Sequence, residues 1–149
     1  MRKPASILLL SVLALATLPA LADDRNIAQL KAEADRAGND QAKACAEVAE
    51  RLVIQADQEF TEGNSVQGQA TVQDVLQYAT RARDLAIKTR KKMKETEIHL
   101  RRARHALENM RRTLAAEDRP PLEAVEKKLE QFGEDILEAM FAAPKKGQK

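Results

Sequence analysis

From position 72 onward, apolar or small residues return at alternating steps of three and four: Val72, Val75, Ala79, Ala82, Ala86, Thr89, Met93, Thr96, Leu100, Ala103, Leu107, Met110 and Leu114. Held for about six heptads, this spacing marks a helix with one stripe buried along its whole length. Neither glycine nor proline interrupts residues 69–118. The pattern therefore predicts one continuous helix of about 50 residues, roughly 75 Å long at 1.5 Å per residue. Its seam is small, with Ala and Thr where Leu or Ile would bury more surface, so neighbouring helices must supply the bulk.

Two shorter amphipathic stretches flank it. Residues 40–62 carry Ala42, Cys45, Ala49, Leu52, Ala56 and Phe60 on one face, and residues 121–141 carry Leu122, Val125, Leu129, Phe132, Ile136 and Met140. Gly38-Asn39-Asp40 separates a short helical stretch (26–37) from the first of these. Gly63-Asn64-Ser65 and Arg119-Pro120-Pro121 mark the remaining turns, with Pro121 placed to open the last helix. No segment alternates in the manner of a strand. The predicted class is all-α: antiparallel helical hairpins overlapped along one long central helix. The alternative is a compact four-helix bundle with that helix broken near Thr89.

Charge is segregated along the chain. Residues 23–74 hold 11 acids against 5 bases, residues 75–112 hold 4 against 12, and residues 113–149 hold 8 against 6. Acidic helices beside a basic one can pair across the flanks of the seam, which sets register more than stability. The basic residues Arg90, Lys91, Lys92, Lys94, Arg101, Arg102, Arg104, Arg111 and Arg112 nevertheless exceed what one seam requires. They fall on several faces of a helix and form the candidate face for an anionic ligand or partner.

The first 22 residues read as a separate unit. Arg2 and Lys3 precede an apolar run from Ile7 to Leu18, and Ala20-Leu21-Ala22 gives the small-x-small pattern cut by signal peptidase. The run is short of the roughly 20 residues needed to span a bilayer. Export to the periplasm or beyond is predicted, with cleavage after Ala22, no transmembrane segment in the mature chain, one helical domain over 23–141 and a disordered basic tail over 142–149. Without Arg2 and Lys3 the chain has 23 bases and 23 acids, so the mature protein is formally neutral. With no Trp, one Tyr and three Phe, the core must be aliphatic. Cys45 is alone and is expected to be a small buried hydrophobe, the alternative being a disulfide between two chains.

Candidate chemistry is sparse. His99 and His105 are six residues apart and point away from each other on a helix. Glu95 and Glu97 precede His99 by four and two, not the three of a di-iron Glu-x-x-His motif. There is no glycine-rich phosphate loop or nucleophile elbow. No catalytic residue, cofactor or metal is expected. Nucleic acid is not the expected partner, because no aromatic residues interleave the basic run to stack on bases.

Residues 54–82 resemble a single tetratricopeptide helix pair, with Ala56, Phe60, Gly63 and Ala70 in the corresponding places; without a second copy they are read as a helical hairpin. EFTEGN (59–64), EDRPPLEAV (117–125) and LEAMF (137–141) resemble segments of exported bacterial α-helical proteins, a resemblance that implies no functional residues. The expected function is non-enzymatic: a protein-interaction or scaffold module of the cell envelope, acting on another protein or by self-association. The alternative is a binder of anionic envelope material, such as lipid head groups, lipopolysaccharide or acidic polysaccharide.

Overall fold

The structure, a computed structural model, describes residues 25–142; the expected signal segment over 1–22 and the tail beyond Ala142 lie outside the described residues. Five α-helices account for nearly all of the described chain: α1 (Ile27–Arg36), α2 (Gln41–Thr61), α3 (Ser65–Thr89), α4 (Met93–Thr113) and α5 (Arg119–Phe141). One-turn 3₁₀ segments, Gly38–Asp40 and Ala116–Asp118, lead into α2 and α5.

Local chemistry explains most of these boundaries. Asn26 caps α1 by accepting from the Gln29 N–H, while the Gln29 side chain accepts from the Asn26 N–H, a reciprocal capping box. At the end of α2, Gly63 takes φ 82°. The Asn64 and Gly63 N–H groups then donate back to Glu59 O and Phe60 O, satisfying carbonyls that the helix end leaves open. The two prolines sit in the first turn of α5, where their missing N–H has no helical partner to lose.

One boundary departs from the favoured reading. The helix expected to run unbroken through 69–118 ends at Thr89 and restarts at Met93. Arg90 and Lys92 both adopt the left-handed conformation, with φ 56° and 53°. The Thr89 hydroxyl donates to Leu85 O and accepts from the Lys91 N–H, and the Thr96 hydroxyl donates to Lys92 O. A left-handed pair of long side chains costs of the order of 1–2 kcal/mol per residue, so tertiary packing, not local preference, makes this turn. The seam stays in phase on both sides: Val72, Val75, Ala79, Ala82 and Ala86 are buried before the turn, and Met93 through Met110 after it, with only Thr89 left outside.

The result is the compact alternative: two antiparallel hairpins, α2–α3 and α4–α5, packed side by side. α2 lies beside α4 and α3 beside α5. Contacts at successive levels give the directions. Asp40 meets Lys92, Glu50 meets His99, and Val53 and Asp57 share a cleft with Met110 and Thr113, so α2 and α4 run parallel. Ser65 and Gln69 donate to Asp118, Arg83 faces Asp135, and Arg90 reaches Ala142 O, so α3 and α5 also run parallel. α1 lies outside α2, tied to α3 through Arg81–Asp35 at 2.7 Å and Lys31–Asp74 at 3.6 Å.

Candidate functional site

The basic run, taken residue by residue, is largely answered within the fold. Arg111 Nε donates to Glu126 at 2.7 Å and Arg104 reaches Glu130 at 3.9 Å, both bridging α4 to α5. Lys92 pairs with Asp40 at 3.5 Å. Arg101 and Arg112 pair within α4, with Glu97 and Glu108 one turn earlier. Arg90 and Lys91 donate to uncharged acceptors, Ala142 O and Asn39 Oδ1. Lys94 and Arg102 have no ion pair among the described residues. The nine cations therefore do not converge: the turn residues stand at one end of the bundle, Arg104 and Arg111 face α5, and Lys94, Arg101, Arg102 and Arg112 are exposed along α4.

Where pairing is closest, the charges respond. The Arg112 guanidinium holds the Glu108 carboxyl below the usual range through its hydrogen bond, and Glu126 raises the already high Arg111 value by the same means.

His99 is a bridging residue. Its Nδ1 lies 2.6 Å from Glu50 Oε2 and its Nε2 3.5 Å from Glu47 Oε1, so one imidazole spans two carboxylates of α2 across the gap from α4. Arg25, Arg51, Arg102, Leu30 and Ile54 surround this cluster, lining an open cleft of about 270 Å³. His105 sits on the outer surface near Glu108 and Arg104, and does not meet His99. Among the described residues, no group of three or more His, Cys, Asp or Glu is arranged to hold a metal. No helix there is long and apolar enough to cross a membrane.

Next along the α2/α4 face lies an apolar cleft of about 370 Å³, walled by Val53, Ile54, Ala106 and Met110 and rimmed by Asp57, Asn109 and Thr113. Ile54 belongs to both clefts and is 48 % exposed. Among the described residues, Ile54, Val66, Leu137 and Phe141 are the large apolar residues left exposed. Sequence reasoning passed over the first three because it followed the buried stripe. The available signal was their position off it: Ile54 stands two residues from both Leu52 and Ala56, a spacing that turns it away from the core.

Cys45 is 0 % exposed, and burial raises its thiol above the usual range, with Arg81 lowering it in part. It packs as a small hydrophobe, and its sulfur cannot meet a second chain unless α2 opens. No family model, no curated protein and no solved structure matches the chain.

Proposed function

We infer that the protein is a non-enzymatic exported module that binds another protein in the cell envelope. The observation that carries this reading is the apolar cleft between α2 and α4, open to solvent and centred on Ile54. Its walls are aliphatic and its rim polar, the anatomy of a protein-docking surface. The surrounding acids and bases are mostly engaged with each other in pairs that hold the helices in register. Their geometry supports structure in preference to catalysis.

The test is site-specific photocrosslinking in the intact envelope from position 54, with Lys128 on the exposed face of α5 as the control position. A discrete adduct from position 54 and none from 128 is the expected result. Equal, diffuse labelling from both would contradict the reading.

A second reading rests on a separate observation. Lys94 and Arg102 carry no ion pair among the described residues, and Arg101 beside them reaches Glu97 only at 3.7 Å. This exposed stretch of α4 supports binding to anionic envelope material. Such binding would weaken steeply with salt, since exposed charges are screened within about 10 Å at 0.1 M. Association through the apolar cleft would change little.

A further inference from the structure

The two ends of the bundle differ in charge, and each carries one conspicuous apolar residue. At the end formed by the α2–α3 and α4–α5 connections stand Glu62, Glu117 and Asp118, with Val66 86 % exposed beside them. The Ser65 and Gln69 bonds to Asp118 fix these connections together. Arg111, Arg112 and Arg119 are also there, but Arg111 is paired with Glu126 and Arg112 with Glu108, and Arg119 Nε is turned back onto Leu114 O. At the opposite end, the α3–α4 turn displays Lys88, Arg90, Lys91 and Lys92, of which Lys92 pairs with Asp40 at 3.5 Å and Glu95 at 4.0 Å. There Phe141, the last residue of α5, is 85 % exposed, and the Arg90 bond to Ala142 O holds it next to the turn. In sequence Lys145, Lys146 and Lys149 follow.

We propose that the basic end of one copy docks on the acidic end of the next, with Phe141 set against Val66, so that the bundles join head to tail. This goes beyond the docking-cleft reading above and does not depend on Ile54. Three observations select a second copy as the occupant. The charges of the ends are opposite. Among the described residues, the most exposed aromatic and the most exposed large aliphatic residue lie at opposite poles, not on one face. And the basic turn holds Arg90 and Lys92 left-handed, at φ 56° and 53°, where glycine would sit without strain. That conformation keeps three successive cations at the tip, tethered there by Ala142 O, Asn39 Oδ1 and Asp40; strain of this kind clusters at functional sites. A contact between two different patches does not close on itself unless the rotation forms a ring, so it generates chains in place of dimers.

The test measures mass by light scattering and sedimentation over a wide range of protein concentration, with Val66→Asp and Phe141→Asp as variants. Both positions are almost fully exposed, so helicity and melting should match the parent. The parent should grow past the dimer with rising concentration and shrink with added salt. Each variant alone should associate at least tenfold more weakly. Mixed in equal amounts, the two variants should form a dimer and stop there, because one retains only its basic end and the other only its acidic end.

A parent that stays monomeric, or one that stops at the dimer, would overturn the proposal; so would a mixture that fails to dimerise. Binding of the monomer to anionic vesicles through Phe141 would also overturn it, assigning the basic end to a lipid surface. Adduct formation from position 54 is independent of Val66 and Phe141, so loss of head-to-tail assembly leaves the docking cleft standing, and loss of the adduct leaves assembly standing.

Discussion

The buried residues of the α2–α3 hairpin include Ala42, Cys45, Ala46, Ala49, Ala56, Ala79, Ala82 and Ala86, whereas those of α4–α5 include Leu100, Leu107, Met110, Leu122, Leu129, Phe132 and Ile136. Both hairpins follow the same spacing of three and four. The first is the most extensive pairing in the bundle and achieves it by bringing backbones close over small side chains. The second fills its interface with bulk. The same pattern of burial therefore hides two kinds of vulnerability: one interface has no room to spare, and the other depends on volume that truncation removes.

The largest effect is expected from the bulky side. Leu129→Ala or Leu107→Ala removes a fully buried side chain and should cost about 2–5 kcal/mol in chemical denaturation. A loss below about 1 kcal/mol would mean that the interface repacks freely and that the contrast is false.

Enlargement tests the other hairpin. A Cβ at Gly68 would stand 2.8 Å from the Phe60 ring, which is itself buried, so the ring must move. Gly68→Ala should destabilise by about 1–2 kcal/mol even though alanine is the better helix former by nearly 1 kcal/mol. A gain in stability would show that Phe60 has space to turn.

The turn between the hairpins offers a smaller change of opposite sign. Lys92→Gly relieves left-handed strain and forfeits two exposed pairs, with Asp40 and Glu95. It should raise stability by about 0.5–1 kcal/mol, read as a shift in denaturation midpoint at unchanged slope. The same substitution should weaken head-to-tail assembly, because it removes one of the cations at the tip.

Cys45 gives the smallest effect. The native thiol should resist an aqueous disulfide reagent and react at once on unfolding. Burial raises the folded thiol, so the unfolded chain gives up its proton first as pH increases. Its contribution is therefore complete below the free-thiol range and declines as pH rises through and beyond it. Rapid labelling of the native protein would place Cys45 outside the small-residue interface.

Much of this architecture is legible in the residues alone. The buried stripes of α2 and α5 lie where the periodicity puts them, and Gly63 and the proline pair mark their turns because those residues have local backbone consequences. The break at Arg90 leaves no such mark. Thr89, Arg90 and Lys92 are ordinary helix residues, and a heptad repeat reads the same whether its second half continues or folds back. Only the energy of packing α4 against both α2 and α5 decides between them, and that energy is spread over the whole chain.

The candidate surfaces were legible in part. Composition locates the cations but not their partners, and the pairs Arg111–Glu126 and Arg104–Glu130 depend on how α4 meets α5. The bridge from His99 to Glu50 spans 49 positions and exists only because α2 and α4 run parallel. Ile54, Val66 and Leu137 carry a weaker signal, that of apolar residues standing off the buried stripe.

The heptad repeat folds in two at residues 90–92. Spin labels at Val66 and Glu117, measured as a distance distribution in solution, test it directly. Val66 in α3 and Glu117 in the 3₁₀ turn before α5 lie at the same end of the bundle, so with neighbouring helices about 8–10 Å apart the labels should give about 15–25 Å. A distance near 75 Å, the length of an unbroken helix between those positions, would contradict it.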